Sequence, residues 1–269
     1  MHKRKIYDCI TFYNENLLTN CRFEILNEVV DFFIVVESNF DHKGNKKSIN
    51  FKLENSKFKK RVRHIVIEEN FPNINDGWEI EAFQREKILL GLDDAKEDDL
   101  IMYSDSDEIP NPYAITSMNL EKKFAIFLQK FFVYKINIFN MHETPWEGTR
   151  ICKKKYLNSI TQLRKKIKLK NLSKPFWKLK YEKSIQPIEN GGWHFNNLYD
   201  VETISKKLKT FQHTKFSDDR YSSSKIINNK ILNLEDLFER NQKYEKVEIN
   251  QDFPEYIRNN LNIFKDHII

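Results

Sequence analysis

Leu100-Ile-Met-Tyr-Ser-Asp-Ser-Asp-Glu-Ile-Pro110 is a short apolar run that stops on three carboxylates and a proline. Its first five residues have the continuous apolar character of a strand covered on both faces, as strands of parallel sheets are. Asp105, Asp107 and Glu108 then fall at i, i+2 and i+3, where such a strand meets a turn. Upstream, Tyr7–Tyr13 (YDCITFY), Asp31–Glu37 (DFFIVVE) and Val62–Ile67 (VRHIVI) are further strand-like runs. Between them, Leu17, Cys21 and Ile25 recur every four residues with Leu18 on the same stripe, and Trp78, Ala82, Phe83, Leu89 and Leu90 recur at helical spacing. Strands alternating with helices predict an α/β fold built on a largely parallel sheet with both faces covered.

Such sheets bind ligands beyond the carboxyl ends of their strands. That rule puts Asn14 and Glu15, Glu37 to Asn39, and Asp105 to Glu108 along one edge, each group directly following a strand. The second half is less regular. Phe124–Leu128 and Phe131–Ile138 are expected to be paired strands, and Trp146, Trp177 and Trp193 punctuate segments rich in Lys, Asn and aromatic residues. The chain is read as one domain, 1–269, with a ligand-binding half at 1–118 and an acceptor-side half at 119–269.

Composition limits the function classes. With 40% hydrophobic residues in 269, the chain can bury a sizeable core, and its 6 Gly and 7 Pro form neither a repeat nor a linker. Cys9, Cys21 and Cys152 lack metal-type spacing and are expected to be packing residues. The charged start, Met1 to Ile10, with no apolar run long enough for a leader or a membrane span, leads us to expect a cytoplasmic protein. The net charge of +6 is uneven: from Arg150 to Lys183 thirteen Lys and Arg face one acid, Glu182, a local +12 that leaves the remainder at −6. A basic segment on a mildly acidic body suits an anionic substrate or an anionic surface. Ile160, Leu163 and Ile167, three and four apart among its lysines, suggest an amphipathic helix resting on anionic lipid.

A hard cation such as Mn²⁺ or Mg²⁺ takes one or two protein carboxylates and completes its shell with water and phosphate oxygens, a demand that Asp105 and Asp107 meet. His194, in Asn190-Gly-Gly-Trp-His-Phe195 with its flexible Gly-Gly, is either a further metal ligand or a structural histidine; His213 has the same ambiguity. Glu81, Gln84 and Arg85 share a helix face just before the acidic strand, and Arg85 suits a phosphate or one of the site carboxylates.

Taken in order, Tyr7-Asp-Cys-Ile-Thr-Phe-Tyr-Asn-Glu15, Val30-Asp-Phe-Phe-Ile-Val-Val-Glu-Ser-Asn39, Ala82-Phe-Gln-Arg85, Ser104-Asp-Ser-Asp-Glu-Ile-Pro-Asn-Pro112, Trp146-Glu-Gly148, Leu163-Arg164 and Gly192-Trp-His-Phe195, then Lys207 and His213, resemble glycosyltransferase family 17. The resemblance implies a GT-A type fold, a UDP-N-acetylglucosamine donor, a saccharide or lipid-linked saccharide acceptor, and inversion at the anomeric carbon. It implies that Asp105 and Asp107 meet metal and diphosphate, that Asn14, Glu37 and Ser38 lie on the nucleoside side, that Arg85 steadies the phosphates, and that His194 joins the metal. Trp146, Trp193 and His213 fall on the acceptor side. An inverting displacement needs a general base; Glu147 is preferred over Glu143, Asp218 and Asp219, with Asp219 kept as the second choice. The chain departs from the family where His213 continues as Thr-Lys215 rather than towards an acid, which puts any role of that acid in doubt.

Two other readings rank lower. A sugar-phosphate nucleotidyltransferase wants a Gly-rich phosphate loop after the first strand, where this chain has Asn14-Glu-Asn16. Nucleic-acid binding would use the basic segment, with Phe176 and Trp177 interleaved among lysines.

Overall fold

The structure is a computed structural model that describes residues 4–41, 44–72, 76–210 and 218–269. Its strands are β1 (Ile6–Phe12), β2 (Phe32–Ser38), β3 (Val62–Ile67), β4 (Leu100–Ser104), β5 (Glu108–Pro110), β6 (Phe124–Val133), β7 (Ile138–Phe139), β8 (Trp146–Lys153), β9 (Ile185–Asn196) and β10 (Glu245–Lys246). Its helices are α1 (Asn16–Ile25), α2 (Gly77–Glu86), α3 (Pro112–Ser117), α4 (Ile160–Lys166), α5 (Val201–Thr210), α6 (Asp219–Ser222), α7 (Ser224–Leu232) and α8 (Glu255–Asn259). The chain forms two compact units, Met1–Leu128 with Glu147–Gly192, and Gln129–Trp146 with Trp193–Ile269.

In the first unit β3, β2, β1 and β4 lie side by side and parallel, and β8 then runs antiparallel to β4. This 3-2-1-4 order is that of dinucleotide-binding sheets, and the order reverses between β1 and β4. Side chains alternate as strand geometry demands. Cys9, Ile34, Val36, Ile101 and Tyr103 enter one buried cluster, and Ile10, Phe12, Phe33, Val35, Leu100 and Met102 the other. Phe23 and Leu26, at the end of α1, close the second cluster, while Ile88, Ile160 and Leu163 close the first. The covered α/β sheet expected from the sequence is therefore present, but it is mixed: β3, β2, β1 and β4 are parallel, and the pairings of β8 with β4, β7 with β6 and β10 with β7 are antiparallel.

Local chemistry sets the helix starts. Asp76 accepts from the backbone of Trp78 and Glu79 to open α2, Ser159 accepts from Gln162 to open α4, and Asn111 caps α3 ahead of Pro112. Three periodicity readings need correction. Trp78 and Leu90 are 68 % and 65 % exposed, and α2 instead buries Ile80, Gln84 and Arg85. Ile160, Leu163 and Ile167 are no more than 1 % exposed, so the apolar stripe of α4 faces the protein's own core and is closed to lipid. Phe124–Leu128 and Phe131–Val133 belong to one continuous strand, β6, rather than a hairpin.

The second unit holds β7 paired to β10 and to the end of β6, with α5 to α8. Its core joins Phe131, Val133, Tyr134, Ile138, Ile204, Ile227 and Tyr244. The three cysteines are buried and free of disulfides.

Candidate functional site

At the switch between β1 and β4 the register pairs Ile10 with Ser104, which puts Tyr13 and Asn14 on one side and Asp105 on the other. The chain turns at once: Glu108 N–H donates to the Asp105 carbonyl at 3.1 Å, and Asp105 N–H donates to Glu108 Oε2 at 3.1 Å. The tight turn leaves Asp105 36 % exposed and Asp107 half-buried, while Glu108 is fully buried.

Two arginines, Arg164 and Arg22, hold this turn from below, and a third, Arg150, braces the strand beside it. Arg164, near the end of α4, donates to Glu108 at 2.8 and 3.2 Å and to the Gly148 carbonyl at 3.2 Å, and it also bonds Asp105 Oδ2. Burial works against its charge, but Glu108 and Asp105 more than reverse that and hold its pKa above the ordinary value. Arg22, fully buried on α1, makes a two-pronged pair with Asp8 at 2.5 Å, donates to Ser104 Oγ at 2.8 Å and bonds the Glu108 carbonyl. Ser104 Oγ in turn lies 2.7 Å from Thr149 Oγ1. Arg150 bonds the carbonyls of Glu147 and Gly148; burial and then neighbouring Arg164 push it down to about 10.

Tyr103 completes the support. Its buried hydroxyl donates to Asp105 Oδ1 at 3.1 Å, accepts from Arg85 Nε at 3.0 Å and lies 3.4 Å from Thr11 Oγ1. Burial and the Asp105 charge drive its pKa upward, so it stays a neutral donor. Arg85 also bonds Glu81 at 2.8 Å, and its buried Nη1 has no hydrogen-bond partner among the described residues.

The expected site residues divide. Asn14, Arg85, Asp105, Asp107 and Glu147 belong to the first unit together with the turn. Glu147 is 34 % exposed; its carboxylate accepts from Leu169 N–H at 3.2 Å and lies 3.6 Å from Arg150. Glu37 and Ser38, expected on the nucleoside side, have partners within the protein. The Glu37 carboxylate is fully buried and takes Lys47 at 2.8 Å and the backbone of Asn50 and Phe51 at 2.6 and 3.1 Å, with His64 at 3.3 Å. Burial works against its charge, and these bonds, His64 and Lys47 foremost, outweigh it and lower the pKa to about 2. Glu37 is thus the latch of the loop that follows β2, while Ser38 Oγ accepts from Phe40 N–H at 3.0 Å.

In the second unit His194 is 6 % exposed, edge-on to Phe131 at 4.4 Å and beside Trp146 at 4.9 Å between ring centroids. Trp193, expected on the acceptor side, is buried and donates to the Asp252 carbonyl at 2.8 Å. Asp219 is 87 % exposed with Lys209 at 3.4 Å, Asp218 caps α6, and Glu143 pairs with Arg240 at 3.2 Å. His213 and Lys215 lie outside the described residues. Gly191 and Gly192, expected to be flexible, sit inside β9, where an added Cβ would meet the backbone of Leu128 at 2.5 Å and of Ile109 at 2.2 Å. They are there for close strand approach.

Sequence reasoning passed over Asp8, Arg22, Tyr103 and Arg150, and named Arg164 without a role. The available signal was the charge of Asp8 inside an apolar strand, and of Arg22 one helical turn beyond Leu18 on the buried stripe.

Asp105 and Asp107 are the partly exposed carboxylates of the turn, and both oxygens of Asp105 already take a donor, Tyr103 on one and Arg164 on the other. Among the described residues no cluster of three or more His, Cys, Asp or Glu is gathered as a complete metal cage.

A family model described as Glycosyltransferase family 17 matches residues 1–252. Beta-1,4-mannosyl-glycoprotein 4-beta-N-acetylglucosaminyltransferases of Rattus norvegicus and Homo sapiens are each 32% identical over 118 residues, 40% of this chain and 22% of the relative. The matched region thus spans about a fifth of the length of those curated relatives. Among solved structures, glucosyl-3-phosphoglycerate synthase from Mycobacterium tuberculosis in complex with Mn²⁺, UDP and phosphoglyceric acid is 11% identical over 92% of this chain and 88% of that one, with a TM-score of 0.39. A 4-diphosphocytidyl-2C-methyl-D-erythritol synthase is 19% identical over 46% and 59%, with a TM-score of 0.32.

Proposed function

This chain belongs to glycosyltransferase family 17 and is a glycosyltransferase, and from that premise we propose that it transfers N-acetylglucosamine from UDP-N-acetylglucosamine to a saccharide acceptor with inversion. The observation that carries the proposal is the turn at the end of β4. It leaves the Asp105 and Asp107 carboxylates partly exposed beside the switch point, on a base of buried arginines and Tyr103. A turn so braced keeps its charge in place without reorganising when a ligand arrives, which is what electrostatic stabilisation of a leaving group needs.

In this reading Asp107 and Asp105 would hold Mn²⁺ or Mg²⁺, which when bound would supply positive charge to the diphosphate. Arg85 Nη1, buried without a partner among the described residues, is a nitrogen that a phosphate oxygen would satisfy. Tyr103 and Arg164 orient Asp105 through its two oxygens. Glu147 is the preferred base: it takes the proton of the acceptor hydroxyl as that oxygen bonds to the anomeric carbon and UDP leaves with the bonding pair. Gly148, next to it, is bonded to Arg164, so Glu147 is tied to the same network as Asp105. Asp219 is the alternative base, in the second unit. The Trp146, His194 and Phe131 rings there pack against one another, and with Phe131 and His194 buried, Trp146 is the ring of the three that a sugar face could meet.

Titrating the protein with UDP-N-acetylglucosamine and other UDP-sugars in the presence of Mn²⁺, and following release of UDP, tests the reading. Binding and slow donor hydrolysis are expected, with hydrolysis lost in Asp105→Asn and Asp107→Asn. Silence of the parent protein towards every UDP-sugar, or full activity in both variants, would overturn it.

A further inference from the structure

Beyond the buried Asn171, the basic segment leaves the core. Leu172, Phe176, Trp177 and Leu179 are 44, 80, 66 and 90 % exposed. No other stretch of ten described residues carries more than two exposed large apolar side chains, so this is a patch rather than scatter. Lys170, Lys174, Lys178, Lys180 and Lys183 are interleaved with it along the chain, and the one acid between Leu169 and Ser184 is Glu182.

The patch sits on a folded turn. Lys174 N–H donates to the Asn171 carbonyl at 3.1 Å, Lys178 N–H to Pro175 at 3.1 Å, Leu179 N–H to Trp177 at 3.0 Å and Tyr181 N–H to Lys178 at 3.1 Å. Lys183 Nζ ties the ends by bonding the Lys174 carbonyl at 2.6 Å. Backbone groups already paired in this way meet one requirement for entering a weakly hydrated layer. Apolar tips interleaved with lysines meet the other, because lysine stems lie along apolar surface while their charges stay in water.

We propose that residues 172–181 form a docking loop for an anionic lipid surface. Phe176, Trp177 and Leu179 enter the boundary between headgroups and acyl chains, and Lys174, Lys178 and Lys180 meet the anionic headgroups. The sequence pointed to lipid through α4; the structure closes that helix into the core and leaves this loop as the apolar and basic surface. Single-stranded nucleic acid fits less well. Phe176 and Trp177 stand edge to face at 81°, with centroids 5.1 Å apart, rather than offering successive stacking faces, and Leu172 and Leu179 provide no stacking at all.

Sedimentation of the full chain with vesicles of phosphatidylcholine alone, or of phosphatidylcholine with phosphatidylglycerol, tests the proposal. Binding to the anionic vesicles alone, weakened by salt, is expected. Replacing Phe176, Trp177 and Leu179 together by Ser should weaken it by more than about a hundredfold, and Lys178→Gln with Lys180→Gln by about thirtyfold. All these side chains are exposed, so the unfolding temperature and UDP-sugar hydrolysis without vesicles should stay at the parent level, which separates this test from that of the donor site. Absence of binding to anionic vesicles at low salt, or undiminished binding by the triple variant, would overturn it. So would tight binding of a single-stranded oligonucleotide that anionic vesicles fail to displace.

Discussion

Replacing Arg164 by Met tests whether the acidic turn stands on a buried ion pair. Arg164 is 9 % exposed and Glu108 fully buried, with bonds of 2.8 and 3.2 Å between them. Removing one partner of such a pair costs about 3–5 kcal/mol, because the other charge stays behind in a poor solvent. The deficit against the parent should therefore be about 3–5 kcal/mol at neutral pH. In thermal unfolding this is a loss of about 10 °C. Adding Glu108→Gln to Arg164→Met removes the stranded charge, keeps an acceptor for Asp105 N–H, and should recover most of that loss. A single variant as stable as the parent, or a double variant no better than the single, would refute the reasoning.

Two more outcomes follow from the same geometry. The Glu37 carboxylate, held down to about 2 by its partners, contributes stability that is present above about pH 4.5 and lost as pH falls from there towards 2. Glu37→Gln should thus cost about 2–3 kcal/mol at pH 7 and flatten the acid limb of a denaturation profile, while a variant that keeps the parent's acid limb would exclude the latch. Gly192 has φ +128° and its missing Cβ would fall 2.2 Å from the Ile109 carbonyl and 2.8 Å from Asn111 N, so Gly192→Ala should cost about 3 kcal/mol or more. Parent-like unfolding of that variant would mean that Gly192 does not lie against the backbone of β5, the strand β9 pairs with.

Strands β1, β2 and β4 were legible because they are short apolar runs with both faces buried, and burial on two faces writes itself into consecutive residues; β8 and β9, whose runs are interrupted by Glu, Gly, Asn and Lys, were not. The acidic turn was legible for the converse reason, as carboxylates that interrupt such a run mark its end. The supports of the turn were not, since Arg22, Arg150 and Arg164 come from α1, β8 and α4 and look in sequence like ordinary surface arginines. The partners of Glu37 were hidden as well. Glu37 follows a buried strand as a ligand contact would, but the loop after β2 folds back and supplies Lys47, Asn50 and Phe51 to its oxygens.

The amphipathic stripe of α4 shows the same division. Spacing decides that Ile160, Leu163 and Ile167 share a face, because the helix repeat is a property of the local backbone. Only the tertiary structure decides what that face meets, and it meets the core formed by Tyr7, Ile101 and Tyr103. The sequence by itself determined the strand and helix rhythm, the position of the acidic turn and the presence of a basic segment, all consequences of chemistry within a few residues. Which charges pair in the dark beneath the turn, and which apolar side chains are left in water at Phe176, Trp177 and Leu179, depended on contacts between residues far apart in the chain.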